Sequence, residues 1–523
     1  MHSSKTTKQK NIISGRYYLA ILAILTYLLF DTGLHSDDYI VINGFNNYSF
    51  LSFINQNPSE MGTIILNPVS LYGLWWPYSL IGYENQIIYD LIKILSSAIS
   101  VYFIFKFFGD YLPHGRAFIA SFVFVLYPLH DTTLYWYMTL QYMLAPAFLL
   151  YSHHLLRNNK IQKWFITGMV GSFLSYASPP YAFGLAVIFL IEKKLKKAIV
   201  FVTPGVLFVA YYFWMKINYE GVEKRINSDL NIIDFIKQLL SQLLSFIETS
   251  VGPSYWLKVF YAIESISLSS IIVVSLLVFG LFKVKLIHRS TTFPKSLFFG
   301  LVAVLLLSFC MFALTGLYNH SAFNLGNRTT VYGSLLISFF LATLLPINKK
   351  SAIFLLLIFL LPVFGLSDHG KSWNSHQKNI IENVKNNQDL AKIEHDSTLI
   401  VTGNIYSKLG PFSHIEFFSA PWTIEPIFKG HVKSKNVVAL NPYTTVDNGT
   451  LIDQKFGVEY SLLNKIYVYD SNANLVKEIY VEDMPQLMLD QPKLIRHWVQ
   501  LFKDTWIQDV IIWLSPRLVY LFE

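Results

Sequence analysis

Two adjacent carboxylates, Asp37 and Asp38, follow almost directly on an apolar run in GRYYLAILAILTYLLFDTGLHSDDYIVI. Ionisable side chains that lose hydration near a bilayer are costly, so such groups usually serve a function. A carboxylate in that place can take a proton from a hydroxyl as general base. Two further features lie far along the chain: His130-Asp131 in YPLHDTTLYWY and Arg328 in GNRTTVYGSLL. An arginine can hold a phosphate by charge-assisted, often bidentate hydrogen bonds and stabilise it as a leaving group. His320 and Tyr318 stand close enough to Arg328 in sequence to be candidate substrate contacts. Each residue also has a plainer reading. The aspartate pair could cap a short helix, Asp131 could cap the helix after it, and Arg328 could snorkel to an interface. Lys93, inside an apolar run, could snorkel or pair with Asp90.

The elements that must position these residues are mostly apolar. Of 523 residues, 53% are hydrophobic and only 14% charged, which excludes an ordinary soluble chain. Apolar runs that read as spans fall near 17–34, 86–108, 116–130, 138–156, 164–178, 180–192, 197–215, 264–283, 296–316, 329–346 and 351–367. That is about eleven segments, several of them short, against the roughly twenty residues a full span needs. The first run lacks a small-x-small cleavage site and reads as a retained span. The single cysteine, Cys310, excludes an intramolecular disulfide or a cysteine metal cluster.

Charge orients the runs. Lys5, Lys8, Lys10 and Arg16 precede the first span; basic residues then recur at Lys106 with Arg116, Arg157 to Lys163, Lys193 to Lys197, Lys283 to Lys295, and Lys349-Lys350. Between His35 and Glu84 there is no Lys or Arg, nor in the turn from His130 to Tyr137. The positive-inside rule therefore expects a cytoplasmic N-terminus and an external C-terminus in a multi-pass cell-membrane protein. This distribution also removes the nucleic-acid reading that a net charge of +8 invites. Asp37, Asp38, His130, Asp131 and Arg328 are all expected on the external face.

Two connections on that face are long. Residues 35–85 are rich in Asn, Tyr and Trp and end in LYGLWWPYSL; residues 216–262 contain INSDLNIIDFIKQLLSQLLSFIETS. The apolar spacing of the second predicts an amphipathic helix lying on the membrane. Two domains are expected, a membrane domain over 1–367 and an extracytoplasmic domain over 368–523, α/β or mostly β. STLIVTG and NVVALN read as strands, and NKIYVYDSNANLVKEIYVE as a hairpin with SNAN as its turn. The last segment, DTWIQDVIIWLSPRLVYLF, is interrupted by Pro516 and Arg517 and reads as a cap or a surface-resting helix.

An external carboxylate base, a rim arginine and spans that could line a groove together fit glycosyl transfer from a lipid-linked sugar. A first span followed directly by an acidic pair in a long external loop (HSDDY), with His130-Asp131 on the next one, resembles the GT-C glycosyltransferases. The resemblance covers the whole architecture, though its motif is short. It implies an inverting enzyme that uses a polyprenyl-phosphate sugar donor and a glycan or lipid-linked glycan acceptor. Asp37 or Asp38 would be the catalytic base, Asp131 would support base or acceptor, and Arg328 would bind the donor phosphate. Among family members it looks most like bacterial enzymes that decorate surface polysaccharide or O-antigen of lipopolysaccharide. The Trp-Trp-Asp-like motif of oligosaccharyltransferases is absent from the tail, where the nearest match is Asp504-Thr505-Trp506. That counts against protein N-glycosylation and an obligatory metal; no cofactor is required, and a divalent metal is left open. Two alternatives stand beside it: a transporter or flippase for a lipid-linked saccharide, and an O-antigen polymerase or ligase. The chain shows no internal repeat of the kind transporters carry, and its long external connections are poor in arginine.

Overall fold

The computed structural model describes residues 15–45, 65–219, 230–283, 293–315, 319–345, 348–441, 443–447, 449–454, 457–463, 465–489 and 494–514. Tyr318, Pro516 and Arg517 lie outside them. The chain is mostly helical, with a region of strands towards its C-terminus.

Among the described residues four helices are long and apolar enough to cross a membrane: Gln86–Phe108, Leu195–Asn218, Lys295–Thr315 and Lys350–Asn386. A fifth appears if Ile232–Glu264 and Leu268–Gly280, bent by 108°, count as one broken span. Eleven segments of full length are therefore not what forms. The apolar runs exist, but several of them form helices too short to span a bilayer alone. The run at 116–130 yields only His114–Val125, because Pro128 opens a 3-10 turn, Pro128–His130. Twelve helical residues reach roughly 18 Å, well short of the ~30 Å hydrocarbon thickness. The run at 180–192 splits into Pro179–Gly184 and Ala186–Ile191, and that at 329–346 gives Val331–Leu344 after a 3-10 segment, Leu325–Thr330.

Charged groups inside the helical body are paired, as burial demands. Lys93, fully buried, lies 2.7 Å from Asp90 one turn away. Its ammonium also donates to Thr32 Oγ1 at 2.7 Å, Gly33 O at 2.8 Å and Tyr135 O at 3.1 Å. Asp90 accepts in turn from the backbone N–H groups of Asp31 and Gly33. The pair thus clamps the turn that carries the chain out of its first helix, Gly15–Leu29, towards Asp37. Gly33 has φ +65°, and a Cβ there would meet the Asn374 side chain at 1.9 Å, so only glycine suits that turn.

The helix Lys349–Asn386 runs unbroken through residue 367, where composition turns polar. Past that point its buried positions, Asn374, Gln377, Ile380, Ile381 and Val384, fall on one helical face, so the polar part is an amphipathic helix joining the helical body to the tail. The tail holds a four-stranded sheet ordered β4-β1-β8-β9, with β1 Ser397–Thr402, β4 Asn436–Ala439, β8 Lys465–Asp470 and β9 Leu475–Ile479. β1 is parallel to β4 and β8; β8 and β9 form an antiparallel hairpin around Ser471–Asn474. Small antiparallel ladders pair β2 Tyr406–Leu409 with β3 Phe412–Glu416, and join β5 Thr444–Asp447, β6 Thr450–Asp453 and β7 Val458–Ser461. Within 216–262 the amphipathic pattern forms the helix Ile232–Val251, whose Ile233, Ile236, Leu240, Leu244 and Ile247 are exposed.

Candidate active site

Asp37 and Asp38 open the helix Asp37–Phe45, and the residue before them, Ser36, has φ +45°. That left-handed backbone is disfavoured for a side-chain-bearing residue by about 1 kcal/mol and is held by its surroundings. The two carboxylates then part company. Asp38 is fully buried and accepts three hydrogen bonds: from Tyr78 Oη, from the His35 backbone N–H at 2.8 Å and from the Met138 backbone N–H at 3.1 Å. Burial pushes its pKa up to about 7, against the pull of those donors. Asp38 therefore ties the helix to Tyr78 and to the turn at Met138.

Asp37 instead borders a polar cavity of about 140 Å³, lined also by Asn67, Trp75, Trp136, Gln141, Tyr142 and Arg328. One of its oxygens accepts from the indole N–H of Trp422 at 3.2 Å, on the helix Pro421–Phe428 of the tail. Arg328 stands on the wall of the same cavity, its guanidinium 5.6 Å from the centre of the Tyr142 ring. A second and larger cavity, about 320 Å³, begins at the same residues. Tyr142, Tyr176 and Arg328 line both, and beyond them the walls are Pro180, Phe208, Leu307, Cys310, Met311 and Phe312. A polar chamber with one carboxylate thus meets an apolar groove, with an arginine at the junction.

Asp131 lies elsewhere and is buried. One oxygen takes Lys258 Nζ at 2.6 Å and Asn327 Nδ2 at 2.6 Å; the other takes His414 Nε2 at 2.8 Å. No side-chain cap to the following helix Thr132–Tyr135 forms. Burial alone would raise the Asp131 pKa, but Lys258 and His414 more than offset it and hold the carboxyl below its usual range. His414 is lowered by burial, with Asp131 opposing. This cluster pins four segments together: the turn after Pro128, the helix Pro253–Glu264, the 3-10 segment bearing Asn327 and strand β3. It borders a small cavity of about 20 Å³ with His35, Ser36 and Trp136, and Trp136 separates that cavity from the chamber of Asp37 by lining both.

His130 turns into the core, with Nδ1 3.0 Å from Thr133 Oγ1 and its ring against Phe124 and Tyr127. Burial lowers its pKa to about 4. His320 packs among Phe246, Phe309 and Phe312, with Nδ1 3.2 Å from Thr329 Oγ1, and burial lowers it to about 3. Neither imidazole borders the chamber or the groove. Among the described residues no three His, Cys, Asp or Glu side chains converge as metal ligands would. Sequence reasoning missed Trp422, Gln141, Lys258, Asn327 and His414. Lys258 alone carried a signal, as the one cation in PSYWLKVFYAIE; the others read as ordinary polar or aromatic positions.

No protein-family model and no curated protein matches this chain.

Proposed function

We propose that the protein is a multi-pass membrane glycosyltransferase of GT-C type, moving one sugar from a polyprenyl-phosphate donor to an external glycan such as O-antigen. The reading rests on one observation: the apolar groove and the polar chamber meet at Arg328, and Asp37 borders the chamber. The polyprenyl chain would lie in the groove, where Pro180, Phe208 and Leu307 offer an apolar wall. The donor phosphate would sit at Arg328, and the sugar in the chamber. Asp37 takes the proton of the acceptor hydroxyl, whose oxygen attacks the anomeric carbon from the face opposite the phosphate. The bond from that carbon to the phosphate oxygen breaks, and polyprenyl phosphate leaves with its charge held by Arg328. A single displacement of this kind inverts the anomeric configuration.

In this reading the N-terminus is cytoplasmic, the tail is extracytoplasmic, and the broken apolar runs contribute shorter helices to the membrane domain. Asp38 and Asp131 serve the geometry of the chamber, and the base is Asp37.

The deciding experiment is sugar transfer by the purified protein in lipid, comparing Asp37→Asn and Asp38→Asn with the wild type. Loss of transfer by a factor of about 10²–10⁴ in the folded Asp37→Asn variant is expected for removal of a general base. Unchanged transfer in both variants would end the assignment, and donor translocation without transfer would favour the flippase reading.

A further inference from the structure

We propose that two connections between helices, 157–163 and 192–197, together bind the headgroup of an anionic phospholipid, independently of any donor site. The cations are Lys160, Lys163, Lys193 and Lys196, all exposed. Packing brings the two connections together. A Cβ at Gly168 would lie 3.0 Å from Pro204 and from Ser152, so the helices Ile161–Leu174, Leu195–Asn218 and Gln141–Arg157 meet there. Lys197 ties their ends: its Nζ donates to Leu156 O at 3.1 Å, Arg157 O at 3.0 Å and Asn159 Oδ1 at 2.7 Å. Lys106, in the last turn of Gln86–Phe108, is near enough to Lys160 for the two charges to repel each other.

The acidic groups of this region already have partners. Glu192 takes Arg157 Nη1 at 2.6 Å and Lys194 Nζ at 2.6 Å, and Asp110 lies 2.9 Å from His154 Nδ1. Among the described residues no carboxylate pairs with Lys160, Lys163, Lys193 or Lys196. Nor does helix stability account for them, since Lys163 and Lys196 lie in first turns, where the helix dipole disfavours a cation. An external anion offsets that crowding of positive charge. The apolar neighbours decide which anion. Leu195, 61% exposed, sits between Lys194 and Lys196, and Ile161, 53% exposed, follows Lys160. Phe165, Ile166 and Ile199 continue the exposed apolar surface along the same helices. Soluble phosphate gains nothing from that surface. A phospholipid sets its phosphate on the lysines and its acyl chains against the apolar residues, and lysines at that depth favour lipids of net negative charge.

The test uses the full-length protein in phosphatidylcholine vesicles holding a trace of spin-labelled phosphatidylglycerol or spin-labelled phosphatidylcholine. Electron spin resonance measures the fraction of each label immobilised by the protein. Phosphatidylglycerol should be preferred about threefold or more at low salt, and the preference should fade at about 1 M salt, where charges are screened within about 3 Å. Replacing all four residues (Lys160→Gln, Lys163→Gln, Lys193→Gln and Lys196→Gln) should remove most of it. Lys392→Gln with Lys477→Gln, at exposed positions of the tail, should leave it unchanged. An unaltered phosphatidylcholine fraction reports that the fourfold variant is folded; should it not fold, the two double variants, one per connection, should each remove part of the preference. Equal immobilisation of the two lipids, or a preference that survives the lysine replacements, would overturn the proposal. Displacement of phosphatidylglycerol by inorganic phosphate would make this a site for soluble anions and overturn it too. If neither label is immobilised, the helices do not meet a bilayer and the membrane reading itself fails.

Discussion

The indole N–H of Trp422 donates to the Asp37 carboxylate at 3.2 Å, across 385 positions of chain. The tail therefore supplies a hydrogen bond to a carboxylate that borders a chamber lined by residues of the helical body. The segment just ahead of the helix Pro421–Phe428 that carries Trp422 packs on the helical body, with Phe417 5.9 Å from Tyr39 and 6.4 Å from Trp373, ring centre to ring centre.

A hydrogen bond on one carboxylate oxygen restrains how Asp37 presents the other. Trp422→Phe should leave the fold intact and lower kcat about fivefold, the equivalent of roughly 1 kcal/mol for one such bond. KM for the lipid donor should not move. Steady-state kinetics in lipid checks this, and a change confined to KM would mean that Trp422 contacts substrate instead.

Asp38 titrates in the opposite sense to most carboxylates. A carboxyl whose pKa is higher folded than unfolded holds its proton more readily in the folded state. Its contribution to stability is then present at low pH and lost as pH rises from about 4 to about 7. Three pH units at this rate amount to roughly 4 kcal/mol at most. Thermal unfolding of the wild type between pH 4 and 8 should show this slope and Asp38→Asn should flatten it. The variant should also be less stable at pH 5, because one amide oxygen cannot accept from Tyr78, His35 and Met138 together.

Asp131 behaves the other way. Its folded pKa lies below the unfolded value, so the stability it contributes is present above about pH 4 and fades as pH falls below that. Lys258→Met leaves a buried carboxylate short of its partner and should cost about 3–5 kcal/mol at pH 7, whereas Asp131→Asn combined with Lys258→Met should recover part of that. A double-mutant cycle by thermal unfolding measures the coupling. Additive losses would show that the pair contributes only through packing.

Arg328→Ala should raise KM for the polyprenyl-phosphate donor by an order of magnitude or more, with Arg328→Lys between it and the wild type, since a lysine keeps the charge but not the two-pronged geometry. Donor titrations of the three proteins check this. Equal donor dependence would remove Arg328 from the phosphate site and leave it as the cation resting on Tyr142.

Much of the frame was legible in local pattern. The runs at 86–108, 197–215 and 296–316 are the helices Gln86–Phe108, Leu195–Asn218 and Lys295–Thr315, because a run of about twenty mostly apolar residues is long enough to cross a bilayer as a helix. The hairpin around Ser471–Asn474 was legible for a similar reason: a polar turn between alternating strands is a local signal. Where a run is interrupted, as at Pro128 or Leu185, composition alone overstates the helix. The change of composition at 367 does not end a helix. A change from apolar to amphipathic leaves the backbone free to continue, and Lys349–Asn386 does so.

By itself, then, the chain's order of residues determined that most of its apolar runs are helical, that strands follow towards the C-terminus, and that an acidic pair follows the first apolar run. Tertiary structure alone decided which aspartate does what. Asp37 and Asp38 are neighbours of the same type, yet one lines a chamber and the other is consumed by three donors. The same holds for Asp131, whose partners Lys258, Asn327 and His414 come from three other segments. Periodicity is a property of neighbours along the chain. Electrostatic and hydrogen-bond partners are set by how separate helices and strands come to rest against one another, and no local spacing encodes that.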